Sequence, residues 1–146
     1  MLVVLGIMAV LAGMAGLQIV QARPTLQADA AMRVVASQIR IARERAITER
    51  RCIRIAFGAD GVTLTREEVP GPAVTVLSTV GFESGMRVGL TPGLPDTPDA
   101  FGNARADDFG TAAVVKFSPD GTLVDQDGNS ASGSVFLAQP GQPRAA

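Results

Sequence analysis

Ala42-Arg-Glu-Arg-Ala-Ile-Thr-Glu-Arg-Arg-Cys-Ile-Arg-Ile-Ala-Phe57 changes its period part-way along. Up to Arg51 the apolar residues recur at steps of three and four, the spacing of one helix face. From Cys52 they alternate, which puts Ile53, Ile55 and Phe57 on one side of a strand. A long helix that hands over directly to short strands predicts the α+β class, with a small antiparallel sheet packed on the helix.

Upstream of this switch the helical pattern runs back to Thr25. Ala28, Ala31, Val35, Ile39, Ala42 and Ala46 mark one apolar stripe, the expected seat of the sheet. Val34 and Ile41 make a narrower second stripe, read as the edge of the core ahead of a contact with a neighbouring subunit. Arg33, Arg40 and Arg51 share a different face, with Arg43 and Arg50 beside it. That face is open to two readings: a solvated surface, or a contact with acidic surfaces of sister subunits or lipid headgroups. Pro24 removes a donor and crowds the preceding turn, so a kink or break is expected there.

Further upstream, Met1 to Val20 holds one polar side chain, Gln18, and no charge. At about 1.5 Å per residue it spans roughly 30 Å, the hydrocarbon thickness of a bilayer. A cleaved signal peptide would need a charged start and a shorter apolar core. A buried helix would need a head large enough to wrap it. The length therefore predicts a transmembrane helix over 1–22, an amphipathic helix over 23–51 and a β-rich globular head over 52–146. Gly6, Gly13 and Gly16, with Ala9 and Ala12, leave places where another helix could approach closely. Arg23, Arg33 and Arg40 all follow the span, which by the charge rule alone would keep the head in the cytoplasm.

Downstream, Gly58-Ala-Asp-Gly61 is a turn and Val62-Thr-Leu-Thr65 alternates again, so Cys52–Phe57 and Val62–Thr65 read as a hairpin. Val74–Leu77, Met86–Leu90, Ala113–Phe117, Thr122–Val124 and Ser134–Leu137 follow as short strands. Ser118-Pro-Asp-Gly121 is a turn between two of them. Thr91 to Gly110 carries three prolines, three glycines and four aspartates, and reads as a long surface loop with Asp107 and Asp108 at a solvated tip.

Composition narrows the chemistry. There is no histidine, Trp or Tyr and a single cysteine, Cys52, so no disulfide can form within the chain. The commonest general base and metal ligand is absent. No triad, no Gly-x-Ser-x-Gly elbow, no phosphate loop and no Cys-x-x-Cys occurs. Asp125-Gln-Asp-Gly-Asn129 is similar in outline to a calcium loop but lacks its further acidic ligands; a β-turn with exposed carboxylates is the better reading. Cys52 reads as a small buried filler. No catalytic, cofactor-binding or metal-ligating residue is expected, no cofactor, and no enzymatic activity. Residues 23–51 hold seven Arg against Asp29, Glu44 and Glu49, net +4. Residues 52–146 hold six Lys/Arg against eleven Asp/Glu, net −5. An acidic head argues against nucleic acid as a partner, and no small-molecule substrate is expected.

Three features in this order resemble one family. Leu2-Val-Val-Leu-Gly-Ile-Met-Ala-Val-Leu11 is similar to the N-terminal helix of type IV pilins and type II secretion pseudopilins. Ala42 to Arg50, followed by Ile53 and Ile55, resembles the helix end of the GspH/FimT minor pseudopilins. Phe117-Ser-Pro-Asp-Gly121 matches that family's late Phe-x-Pro-x-Gly hairpin. The resemblance implies a pilin-like fold and a structural subunit of a type II secretion pseudopilus, or alternatively a minor type IV pilus subunit serving pilus biogenesis or DNA uptake. It implies an inner-membrane, single-pass protein with its head in the periplasm. Its partners would be other pseudopilins or minor pilins, met through the N-terminal helix, and the lipid bilayer. Prepilin peptidase is implied too, although the basic leader, Gly-Phe cleavage site and following Glu are missing, as if Met1 stood inside the mature helix. A missing leader would also supply the cytoplasmic positive charge that the charge rule asks for. The basic C-terminal tail of some DNA-binding relatives is replaced by Pro143-Arg-Ala-Ala146.

Overall fold

The computed structural model describes residues 2–82, 85–90, 105–109 and 114–139, with side chains from Leu26 onward except that of Asp108. Helix α1 covers Leu2–Glu49. It continues across Pro24 without interruption, so the break expected there does not occur. The proline removes one i→i−4 hydrogen bond, and the bonds of the flanking turns carry the helix across.

Among the described residues no helix is long and apolar enough to cross a membrane. This overturns the expected placement as a single-pass inner-membrane protein with its head in the periplasm. The physical reason is charge: residues 26–49 carry Asp29, Arg33, Arg40, Arg43, Glu44, Arg45 and Glu49, each too costly to place in hydrocarbon. The side chains of the segment 1–22, read from sequence as the span, lie outside the described set.

The helix stops because Arg50 turns left-handed, with φ at 50°. The next amide, of Arg51, reaches back to the carbonyl of Ala46 at 3.3 Å. That six-residue bond closes the end as a Schellman motif, with Arg at the position usually held by Gly. The chain then enters β1 (Ile53–Gly58) after two residues.

Eight more strands follow: β2 (Gly61–Glu67), β3 (Val74–Gly81), β4 (Arg87–Val88), β5 (Asp107–Asp108), β6 (Val114–Phe117), β7 (Leu123–Val124), β8 (Ser134–Val135) and β9 (Leu137–Ala138). The main sheet has five antiparallel strands in the order β3-β2-β1-β6-β7, and two small pairs, β4 with β9 and β5 with β8, stand beside it. The predicted hairpin is β1 with β2, in register Ile53↔Arg66 to Gly58↔Gly61. Gly61 is required by a close approach: a Cβ there would strike the Val80 carbonyl oxygen and stand 2.9 Å from the Gly81 Cα. The expected solvated tip at Asp107 and Asp108 is instead strand β5, paired with Val135 and Ser134. Of the rest of the predicted loop, 105, 106 and 109 are described, while residues 91–104 and 110 lie outside the described residues.

Alternation sorts the sheet into two faces. Ile53 and Ile55 from β1, Val62 and Leu64 from β2, and Val115 and Phe117 from β6 are buried against α1. The helix answers with Ala31, Val35, Ala42 and Ala46, all buried. Two alanines with no exposed surface let the sheet come close to the helix axis. Ile39 is only half-buried, and the position nearer the centre of the stripe belongs to Gln38, 7% exposed. Its Oε1 accepts a hydrogen bond from Ser78 on β3 at 3.5 Å. Each large buried aliphatic side chain contributes on the order of 1.5–3 kcal/mol. Phe109 completes the core by stacking on Phe57, with ring centres 5.6 Å apart.

Candidate functional site

The groups singled out in the sequence do not converge. Cys52 is half-buried at the joint between α1 and β1, where its carbonyl accepts the Glu67 amide at 3.0 Å. In the Asp125–Asn129 turn the Asp125 carboxylate faces inward: its Oδ1 accepts the amides of Asp127 and Asn129, each at 2.9 Å. These bonds, led by that from the Asn129 backbone, hold the Asp125 carboxyl below its ordinary range. Among the described residues no group of three His, Cys, Asp or Glu side chains could hold a metal ion.

Ser118-Pro-Asp-Gly121 builds a tight turn. The Gly121 amide bonds to the Ser118 carbonyl at 2.8 Å, while the Asp120 carboxylate accepts the Ser118 hydroxyl and the Thr122 amide. The hydroxyl above all keeps the Asp120 carboxyl below its ordinary range. The turn is seated on the helix, since a Cβ on Gly121 would stand 2.7 Å from Ile47 Cδ1.

Ion pairs concentrate where the helix ends. Arg66 on β2 bonds to Glu49 of α1 at 3.0 Å and to Glu68 at 2.8 Å, and Thr75 donates to Glu68 at 2.7 Å. The Thr75 hydroxyl, then Arg66, lowers the Glu68 carboxyl; Glu68, then Glu49, raises Arg66. On the opposite sheet face Arg54 meets Glu67 at 2.8 Å, with Lys116 at 4.0 Å from the same carboxylate. Arg54 Nε is buried without a partner among the described residues. A cleft of about 310 Å³ opens beside it, lined by Arg54, Glu67 and Glu68 with the 69–74 loop. Every charge in it except that one nitrogen is spent on a neighbour within the chain.

The two roomier clefts flank the upper part of the described helix. One, of about 440 Å³, lies between Leu26, Ala30, Val34 and Val80. The other, of about 500 Å³, lies between Met32, Val35, Ile39, Phe109 and Val135. Among the described residues neither is lined by an ionisable side chain.

The remaining feature is the outer face of α1. Arg33, Arg40, Arg43 and Arg50 are exposed, and none makes an ion pair among the described residues. Leu26, Met32, Ile41 and Ile47 are exposed on the same helix. No protein-family model, curated protein or solved structure matches the chain.

Proposed function

We propose that this protein is a non-enzymatic structural subunit with a pilin-like fold, a minor pseudopilin of a type II secretion system that assembles with sister subunits through α1. The observation that carries this reading is a disproportion. The helix has 48 residues, about 72 Å at 1.5 Å per residue. The longest strand has 8 residues, about 26 Å. Among the helix residues whose side chains are described, the buried positions run from Ala31 to Ala46. A helix so much longer than the sheet it supports is suited to pairing with other helices.

Three further features support it. The Phe117–Gly121 turn that resembles the family's late hairpin is docked on the helix at Ile47. Among the described residues the larger clefts carry no ionisable wall, which suits packing against an apolar face of another subunit. The alternation of apolar and exposed residues along α1 also leaves Leu26, Met32 and Ile41 for contacts outside the chain.

Deletion of the gene in its host tests the reading. The expected result is loss of type II substrates from the medium, restored by the full chain supplied in trans. Loss of surface pili with secretion intact would assign the subunit to a pilus instead. Turnover of any substrate by the purified chain would remove the structural reading altogether.

A further inference from the structure

We propose that the Arg-bearing outer face of α1 docks, head to tail, on the acidic turns flanking β7 of a second copy of this chain. The inference deepens the subunit reading and rests on it.

The charge of the molecule is divided and left divided. Residues 23–51 are net +4 and residues 52–146 net −5. Folding could have matched the two halves within one chain. Among the described residues it does the opposite. The one ion pair that joins helix to sheet is Glu49 with Arg66, at 3.0 Å: the acid is on the helix and the base on the sheet. That pair uses up one of the few carboxylates of the helix and one of the few cations of the head. What remains exposed is more polarised than the sequence alone.

On the helix, Arg33, Arg40 and Arg43 stand at steps of seven and three, a stripe about 15 Å long at 1.5 Å per residue, with Arg50 just past its last turn. All four are exposed. On the head, Asp120 and Asp125 stand on either side of the two-residue strand β7, with Asp127 two positions further on. Asp120 is kept ionised by the Ser118 hydroxyl and Asp125 by the Asn129 amide; Asp127 is exposed. These bonds fix the turns, so the charge is presented on a rigid edge. Gly121 of the same edge packs against Ile47 and the Arg43 side chain, yet no aspartate of the edge forms an ion pair with its own helix. Arg33 and Arg40 lie further along the helix, beyond this internal contact.

The two surfaces are different patches, so the contact is heterologous and leaves each copy with a stripe and an edge for further copies, in a ring or an open row. A polyanion such as nucleic acid fits less well. The stripe is bordered by an acidic edge of its own molecule, and the whole chain is net −1, where phosphate binding calls for clustered cations and a basic surround.

The test is a charge swap in the full chain. Copies with Arg33→Glu and Arg40→Glu carry a helix stripe whose charge, Arg50 included, sums to zero. Copies with Gln126→Lys and Asp127→Lys carry an edge whose charge sums to zero with Asp120 and Asp125; both substituted side chains are exposed and neither anchors its turn. Tagged wild-type chain captures untagged wild-type chain, and raising salt from about 0.05 M to about 0.5 M weakens capture roughly tenfold, as screening shortens the reach of exposed charges. Each swapped copy fails to capture itself by a similar factor. Mixed together, the two swapped copies capture each other again, because the unaltered stripe of one meets the unaltered edge of the other. Equal capture by all copies, or no rescue in the mixture, overturns the contact while leaving the subunit reading intact. Failure of the wild-type chain to self-associate under any condition likewise overturns the contact and leaves assembly with other subunits to the deletion test. Capture of DNA by the wild-type chain, lost with Arg33→Glu and Arg40→Glu, would assign the stripe to a polyanion and also overturn it.

Discussion

Gly121 shows how one missing side chain holds two elements together. Its φ is 82°, in the left-handed region. A Cβ there would also stand 3.0 Å from Ile47 Cγ1 and 3.3 Å from Arg43 Nε. Any side chain is therefore wrong twice, once for the backbone and once for the helix beneath. Gly121→Ala is expected to cost about 2–4 kcal/mol, from the left-handed backbone and the overlap together. Denaturant unfolding measures it; a loss below about 0.5 kcal/mol, the range of an ordinary surface change, would contradict it. The turn itself was legible in Ser118-Pro-Asp-Gly121, because proline and aspartate set the early positions and glycine the last. Its seat on Ile47, 74 positions earlier in the chain, leaves no local trace. Gln38 was illegible for a related reason. An amide inside an apolar stripe reads as solvent-facing until Ser78, 40 residues later, is seen to bond to it.

At the scale of elements, what could be read was what repeats locally. Alternation in Ile53–Phe57 and Val62–Thr65, bounded by two glycines, was enough to place the first hairpin. The three-and-four spacing from Ala31 to Ala46 placed the helix on the sheet. Strand β5 escaped because two residues carry no period, and its partner β8 lies 27 residues on. Phe109, between a predicted loop and the core, went with it. The two ends of the main sheet also differ. Strand β7 is two residues long and flanked by aspartates, a blunt edge. Strand β3 has eight residues, VTVLSTVG, with no charge and with Val74 and Val76 half or more exposed. One irregularity, a register shift at Leu64/Thr65, interrupts its pairing. Such an edge offers a template to any other strand. Val76→Lys is expected to leave the unfolding free energy within about 0.5 kcal/mol of the parent while raising the protein concentration at which heated samples scatter light. Unchanged scattering would show that β3 is not the adhesive edge.

At the scale of the whole molecule, charge decides both a correction and a sensitivity. The apolar run at the N-terminus suggested a membrane span, whereas residues 26–49 carry charges of both signs and none of the described helix can cross. The sensitivity is to acid. Glu68, Asp120 and Asp125 have carboxyls held below their ordinary values of 4.5, 3.8 and 3.8, chiefly by the Thr75 hydroxyl, the Ser118 hydroxyl and the Asn129 amide respectively. A carboxyl depressed in the folded state adds stability that is complete above its unfolded value and disappears as pH falls through the folded one. Melting temperature is thus expected to be level from neutrality down to pH 5, then to fall below about pH 4. With Glu68→Gln, Asp120→Asn and Asp125→Asn combined, the fall should become shallower. An equally steep decline in that variant would trace the acid response elsewhere. The division of charge between helix and head was countable from the start; that the joining ion pair runs against it was not, since Glu49 and Arg66 meet only in three dimensions.

The short passage from Arg50 to Cys52 has a consequence for synthesis. The strand it delivers, β1, is the middle of the five-stranded sheet, and its two neighbours arrive at very different times. Strand β2 follows after a two-residue turn and β3 soon after, so a nascent chain carrying residues up to 81 already holds the helix and three adjoining strands. Strand β6 begins only at Val114. For the time the ribosome needs to add those further residues, one side of the central strand stands bare beside a half-built core, the interval in which an emerging chain is most exposed to mispairing.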